Sequence, residues 1–125
     1  MITFSNLQMD PHQPVYQQLA AHVKRQILLG NAQDGDVLPS RREIAVQANV
    51  NPNTVQKACK LMEEEGYVAT DGNRLSTIRI TDELFAKIRD ELTLGLVRRF
   101  VEEARQNHLS YKHTIALISE LWEDE

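Results

Sequence analysis

Ser40-Arg41-Arg42-Glu43-Ile44-Ala45-Val46-Gln47-Ala48, followed at once by Asn49-Val50-Asn51-Pro52-Asn53-Thr54-Val55-Gln56-Lys57, contains two helix starts in quick succession. Ser40 and Glu43 form a capping box: the serine oxygen accepts the backbone N–H three residues on, and the glutamate reaches back to the serine N–H. Asn51 is a good N-cap, and Pro52 a good first helical residue because its missing N–H costs nothing there. The first helix is short and turns Ile44, Ala45 and Ala48 inward. The second buries Val55, Ala58, Cys59 and Met62 and stops at Gly66, a natural residue to follow a helix end. Two helices joined by about four residues, the second freshly capped, have the spacing of a helix-turn-helix.

The flanks extend this unit. Upstream, Tyr16, Leu19, Ala20, Val23 and Ile27 repeat at helical spacing after Pro14, and Gly30-Asn31 stops the run, which predicts a helix over about 14–29. Asp34-Gly35-Asp36 marks a turn, and Val37-Leu38-Pro39 reads as short and extended. Downstream, Tyr67–Thr70 and Leu75–Ile80 are β-prone runs separated by Asp71-Gly72-Asn73-Arg74, a hairpin signal. A hairpin directly after a helix-turn-helix is a wing. From Thr81 the period is helical again. Leu84, Phe85, Ile88, Leu92, Leu96 and Phe100 make one apolar stripe, and Ile115, Ile118, Leu121 and Trp122 make a second after a break at Asn107–Ser110. The expected fold is mostly α with a small β-hairpin: a winged helix-turn-helix over 12–81, then a two-helix dimerisation segment over 82–125.

Composition narrows the class. The 125 residues are 42% apolar, enough for a packed core. No run approaches the ~20 apolar residues that span a bilayer, and Met1–Ser5 has no signal-peptide character. Cys59 is the sole cysteine, which permits no internal disulfide and fits a reducing cytoplasm. At helical spacing with Val55 and Met62 it reads as core. The four histidines are scattered with no metal-ligand spacing, Glu63-Glu64-Glu65 reads as a solvated face, and no cofactor is expected. No phosphate loop, nucleophile elbow or metalloprotease helix occurs, so catalysis has no support.

The net charge of −4 is unevenly spread. Residues 1–81 hold eight basic and eight acidic side chains, whereas 82–125 hold six and ten. Arg41, Arg42, Lys57 and Lys60 form a local basic surface on an acidic chain. The start of a recognition helix enters the major groove with short polar side chains. Asn51, Asn53, Thr54 and Gln56 are such residues; Asn or Gln pairs with adenine and Arg with guanine. Arg41, Lys57 and Lys60 suit phosphate contacts, which position a protein without reading sequence. The competing reading of the same residues is a winged-helix protein-interaction module that does not bind specific DNA.

These motifs, together with Pro14-Val15-Tyr16-Gln17-Gln18-Leu19 and Leu61–Val68, closely resemble the N-terminal domain of the GntR family of bacterial regulators, over about residues 12–81. The Asn51–Val55 run and a tail of about 44 residues look most like its YtrA subfamily. The resemblance implies that Arg42 contacts DNA and that Gly72 lets the wing backbone approach the minor groove, where Arg74 adds charge. Many relatives outside that subfamily have arginines where Pro52 and Gln56 stand, so their base preference does not carry over. Asp71 in the wing would repel phosphate. Two amphipathic helices enclose no ligand pocket alone, and no small-molecule effector can be named. Packing against a second copy buries their stripes and sets two recognition helices on a palindromic operator. Membership further implies repression of the protein's own operon, often one encoding an ABC transporter.

Overall fold

The computed structural model describes residues 2–72 and 75–124. The element order is α1 (Val15–Leu28), α2 (Arg41–Ala48), α3 (Pro52–Glu65), β1 (Val68–Thr70), β2 (Ser76–Ile78), α4 (Asp82–Gln106) and α5 (Tyr111–Trp122). The chain divides into two compact units, Met1–Arg89 and Asp90–Glu125, with the division inside α4.

In the first unit α3 packs on both α1 and α2. The buried face of α1 is Leu19, Ala20, Val23 and Ile27, and that of α3 is Val55, Ala58, Cys59 and Met62. Removing side chains of this size from water supplies ~1.5–3 kcal/mol for each of the larger ones. Tyr67 follows the end of α3 and is 0% exposed. Its hydroxyl donates to the Ala20 carbonyl at 3.1 Å, so its one polar atom is satisfied inside the core. Lys24 closes the same edge with a 2.6 Å ion pair to Glu65.

The helix ends follow local chemistry. Both halves of the Ser40–Glu43 capping box are formed, each at 3.1 Å. Asn49 ends α2 in the left-handed region at φ 55°, a conformation asparagine tolerates. Gly66 ends α3 at φ 92°, where any other residue would be strained.

β1 and β2 form the antiparallel hairpin, with Val68 opposite Ile78 and Thr70 opposite Ser76. The extended segment before α2 does more than connect. Val37 bridges Thr77, the Gly35 and Leu38 N–H groups donate to the Ile78 and Ser76 carbonyls, and the Asp36 carbonyl accepts from Ile78 N–H, each bond 2.8 Å. It therefore covers the second edge of β2.

The N-terminal residues, which lack periodicity, also join this unit. Ile2 and Phe4 are buried. Phe4 lies against the His22 ring with centroids 5.1 Å apart, and its N–H donates to Gln47 Oε1 at 2.9 Å. His22 Nε2 lies 2.8 Å from the Thr3 carbonyl. The arm thus straps α1 to α2.

In the second unit, α4 ends at Gln106, and His108 follows it in the left-handed region, φ 57°. Ser110 caps α5 through the His113 N–H. No described residue from Asp90 onward is buried. An apolar groove of about 1260 Å³ runs between the second half of α4 and α5. Leu96, Phe100, Ile115, Ile118 and Leu121 line it, and Trp122 is 81% exposed. Leu92 is half-buried. Earlier on the same helix Leu84 and Phe85 are half-buried, whereas Ile88 is 2% exposed. Ile88, expected on the partner-facing stripe, is therefore already covered by its own chain: it falls on the part of α4 that belongs to the first unit. Among the described residues no helix is long and apolar enough to cross a membrane.

Candidate nucleic-acid interface

The junction of α2 and α3 presents a shallow concavity of about 640 Å³. Arg42, Val46, Asn49, Pro52 and Gln56 line it, with the flank of Arg41. Arg42 is exposed at the first turn of α2, and Gln56 is exposed one turn into α3. Two side chains expected at the DNA, one from each helix, are thus brought to one hollow. Val46, one turn beyond Arg42, is exposed on the same surface. It offers the apolar contact that a thymine methyl group accepts.

Asn51 and Asn53 are exposed at the start of α3, and Thr54 is half-buried. The capping bond constrains Asn51: its Oδ1 accepts the Asn53 N–H at 2.8 Å. Bidentate pairing with adenine needs both the amide oxygen and the amide N–H. With the oxygen engaged, Asn51 presents mainly its NH₂ donor, while Asn53 and Gln56 keep both functions.

The basic side chains differ in their surroundings. Arg42 and Lys60 have no ion-pair partner among the described residues, and Lys60 is exposed. Lys57 places its Nζ over the Tyr16 ring, 4.2 Å from the centroid, a cation–π contact from α3 to α1. Arg41 is only half-exposed and turns toward α3, with Nη2 3.6 Å from Glu63 Oε1. Its Nε is sequestered from solvent. Tyr16 and Glu63 were not legible as neighbours of these cations, because both contacts join residues far apart in sequence.

In the wing, Gly72 is exposed and a Cβ there would meet nothing within 4 Å. The Asp71 carboxylate accepts the Leu75 N–H at 3.1 Å, so this acid closes the turn. Arg74 lies outside the described residues.

Cys59 is buried behind this surface. Burial pushes its thiol above the ordinary value, Glu63 adds to the rise, and Arg41 opposes it. A reactive thiol needs the opposite environment. Among the described residues no group of three or more His, Cys, Asp or Glu could hold a metal ion.

Three stacked helices, a capped second and third helix and a hairpin define a winged helix-turn-helix, the DNA-binding domain of many transcription regulators. A model of the family described as "Bacterial regulatory proteins, gntR family" matches residues 15–74. The HTH-type transcriptional regulator YhcF of Bacillus subtilis (strain 168) is 32% identical over 99 residues, covering 79% of this chain and 82% of that protein. The HTH-type transcriptional repressor YtrA of the same organism is 44% identical over 66 residues, 51% of each. A GntR family transcriptional regulator from Listeria monocytogenes has the same fold, with a TM-score of 0.79 at 24% identity over 90% of this chain and 98% of that one. The chain belongs to the GntR family of bacterial regulatory proteins and is YtrA-like. It is a transcription regulator with a helix-turn-helix DNA-binding domain, not an enzyme.

Proposed function

We propose that the protein is a homodimeric repressor that binds a palindromic operator in the cytoplasm and controls its own operon. The observation that carries the reading is the hollow between α2 and α3, where Arg42 and Gln56 stand together unencumbered. Asn51, Asn53 and Thr54 extend it along the start of α3. Lys57, Lys60 and the wing backbone at Gly72 flank it as backbone contacts. In this reading the functional division is a DNA-binding domain over 12–81 and a dimerisation tail over 82–125.

The second unit supports dimerisation, since it has an apolar groove and none of its described residues is buried within one chain. A second copy offers an equal groove, and a two-fold pairing covers both. Two recognition helices related in this way meet half-sites spaced by turns of the duplex, ~34 Å each. The repressor role draws on the similarity to YtrA, which is named a repressor. Linkage to an ABC-transporter operon is the family-level expectation.

Selection of bound sites from random duplexes tests the proposal. Enrichment of an inverted repeat supports it, and enrichment of a single unrepeated half-site contradicts the dimeric reading. No enrichment at all returns the domain to a protein-interaction role.

A further inference from the structure

Glu63, on the last turn of α3, receives groups from two directions. Thr70 Oγ1 on β1 donates to its Oε1, and the Arg41 guanidinium at the first turn of α2 lies 3.6 Å from the same oxygen. Thr70 has one hydroxyl proton, and the carboxylate takes it. The 3.0 Å contact between the Thr70 and Ser76 hydroxyls is therefore donated by Ser76, which is buried in β2. One carboxylate thus joins the start of α2, the end of α3 and both strands of the wing. Arg41 Nε is enclosed, and the same side chain hydrogen-bonds the buried Cys59 thiol, so the arginine has an inward partner besides Glu63. Neighbouring Glu64 is exposed and takes no part in this network.

We propose that Glu63 is a positioning residue for DNA recognition: it holds Arg41 in a strut to the wing and keeps that cation off the phosphate backbone. The proposal rests on the operator-binding reading above. A half-exposed ion pair is weak by itself. Here the threonine hydrogen bond fixes the carboxylate, and the hydrogen bond to the Cys59 thiol holds the arginine inward. The consequence is selectivity. Each additional arginine on phosphate raises affinity for every sequence alike, whereas base contacts by Arg42 and Gln56 do not.

The test is the salt dependence of binding to a random duplex, measured by anisotropy with the full-length protein. Each phosphate contact adds ~0.9 to the slope of log affinity against log salt. In the parent, Arg41→Met keeps the side-chain stem and leaves the slope unchanged. Glu63→Gln keeps an acceptor for Thr70, frees Arg41 and steepens the slope by about one contact. That is about a 3.5-fold larger loss between 50 and 200 mM salt. Adding Arg41→Met to Glu63→Gln reverses the change, and Glu64→Gln serves as the charge control. Circular dichroism establishes that each variant is folded, and Glu63→Asp gives a second carboxylate variant that retains the parent slope. The proposal is overturned if Arg41→Met lowers the parent slope, or if Glu63→Gln does no more than Glu64→Gln. A parent with no salt-dependent duplex binding overturns the operator-binding reading itself, a distinct result.

Discussion

Asn51 illustrates how one side chain serves structure and recognition together. Its oxygen caps α3, so replacing it by aspartate keeps the cap acceptor and removes the donor of that side chain. Asn51→Asp is expected to melt within a few degrees of the parent and to bind operator several-fold more weakly. Equal losses of stability and affinity would instead assign Asn51 to capping alone. Arg42→Ala is expected to weaken operator binding by ~1–3 kcal/mol, the worth of a bidentate base contact, with folding and dimerisation intact. Affinity within two-fold of the parent would remove Arg42 from the interface. Cys59 makes a prediction about pH. Its thiol is raised on folding, so its contribution to stability is full below the ordinary thiol value and drains as pH rises above it. Denaturation midpoints should fall more steeply above that pH in the parent than in Cys59→Ala, and native protein should react with thiol reagents far more slowly than unfolded protein. The caps were legible because each depends on residues two or three apart. The surroundings of Arg41 were not, because only the fold brings Glu63 beside it.

At the scale of elements, the strongest local signals set the frame. The capping box starts α2 and Gly66 ends α3, and both were readable from residue type alone. Ser40→Ala should cost ~1 kcal/mol, seen as a drop of ~4–8 °C in melting temperature for a domain of this size. No change would mean that tertiary packing, not the cap, fixes the start of α2. The hairpin followed from Asp71-Gly72 between β-prone runs. The third extended segment at 35–38 did not follow, because its pairing to β2 spans some forty residues and is set by tertiary packing. The arm at Ile2–Phe4 escaped for a related reason. Two apolar residues are too few to show a period, and they find their place only once α1 and α2 are assembled.

The molecule as a whole is a first unit with its own core and a second without one. The apolar stripes of α4 and α5 were visible as helical periodicity, and their exposure in a single chain is what calls for a partner. The sequence pattern could not separate Ile88, which its own chain covers, from Leu96 and Phe100, which remain open, because all three share one helical repeat. Ile118→Asp places a charge in the groove and should convert the protein to monomers by sedimentation while the first unit stays folded. Operator affinity should fall with it, since each half-site is then bound alone. A dimer that survives this substitution would move the interface elsewhere.

The most direct test of the account is the affinity for a selected operator against a scrambled duplex of equal length at one fixed salt concentration. Specific regulators bind ~10³–10⁷ times more tightly to their site. The account predicts a ratio in that range, with two chains per duplex. A ratio near one would contradict it, because the hollow formed by Arg42 and Gln56 would then read no sequence.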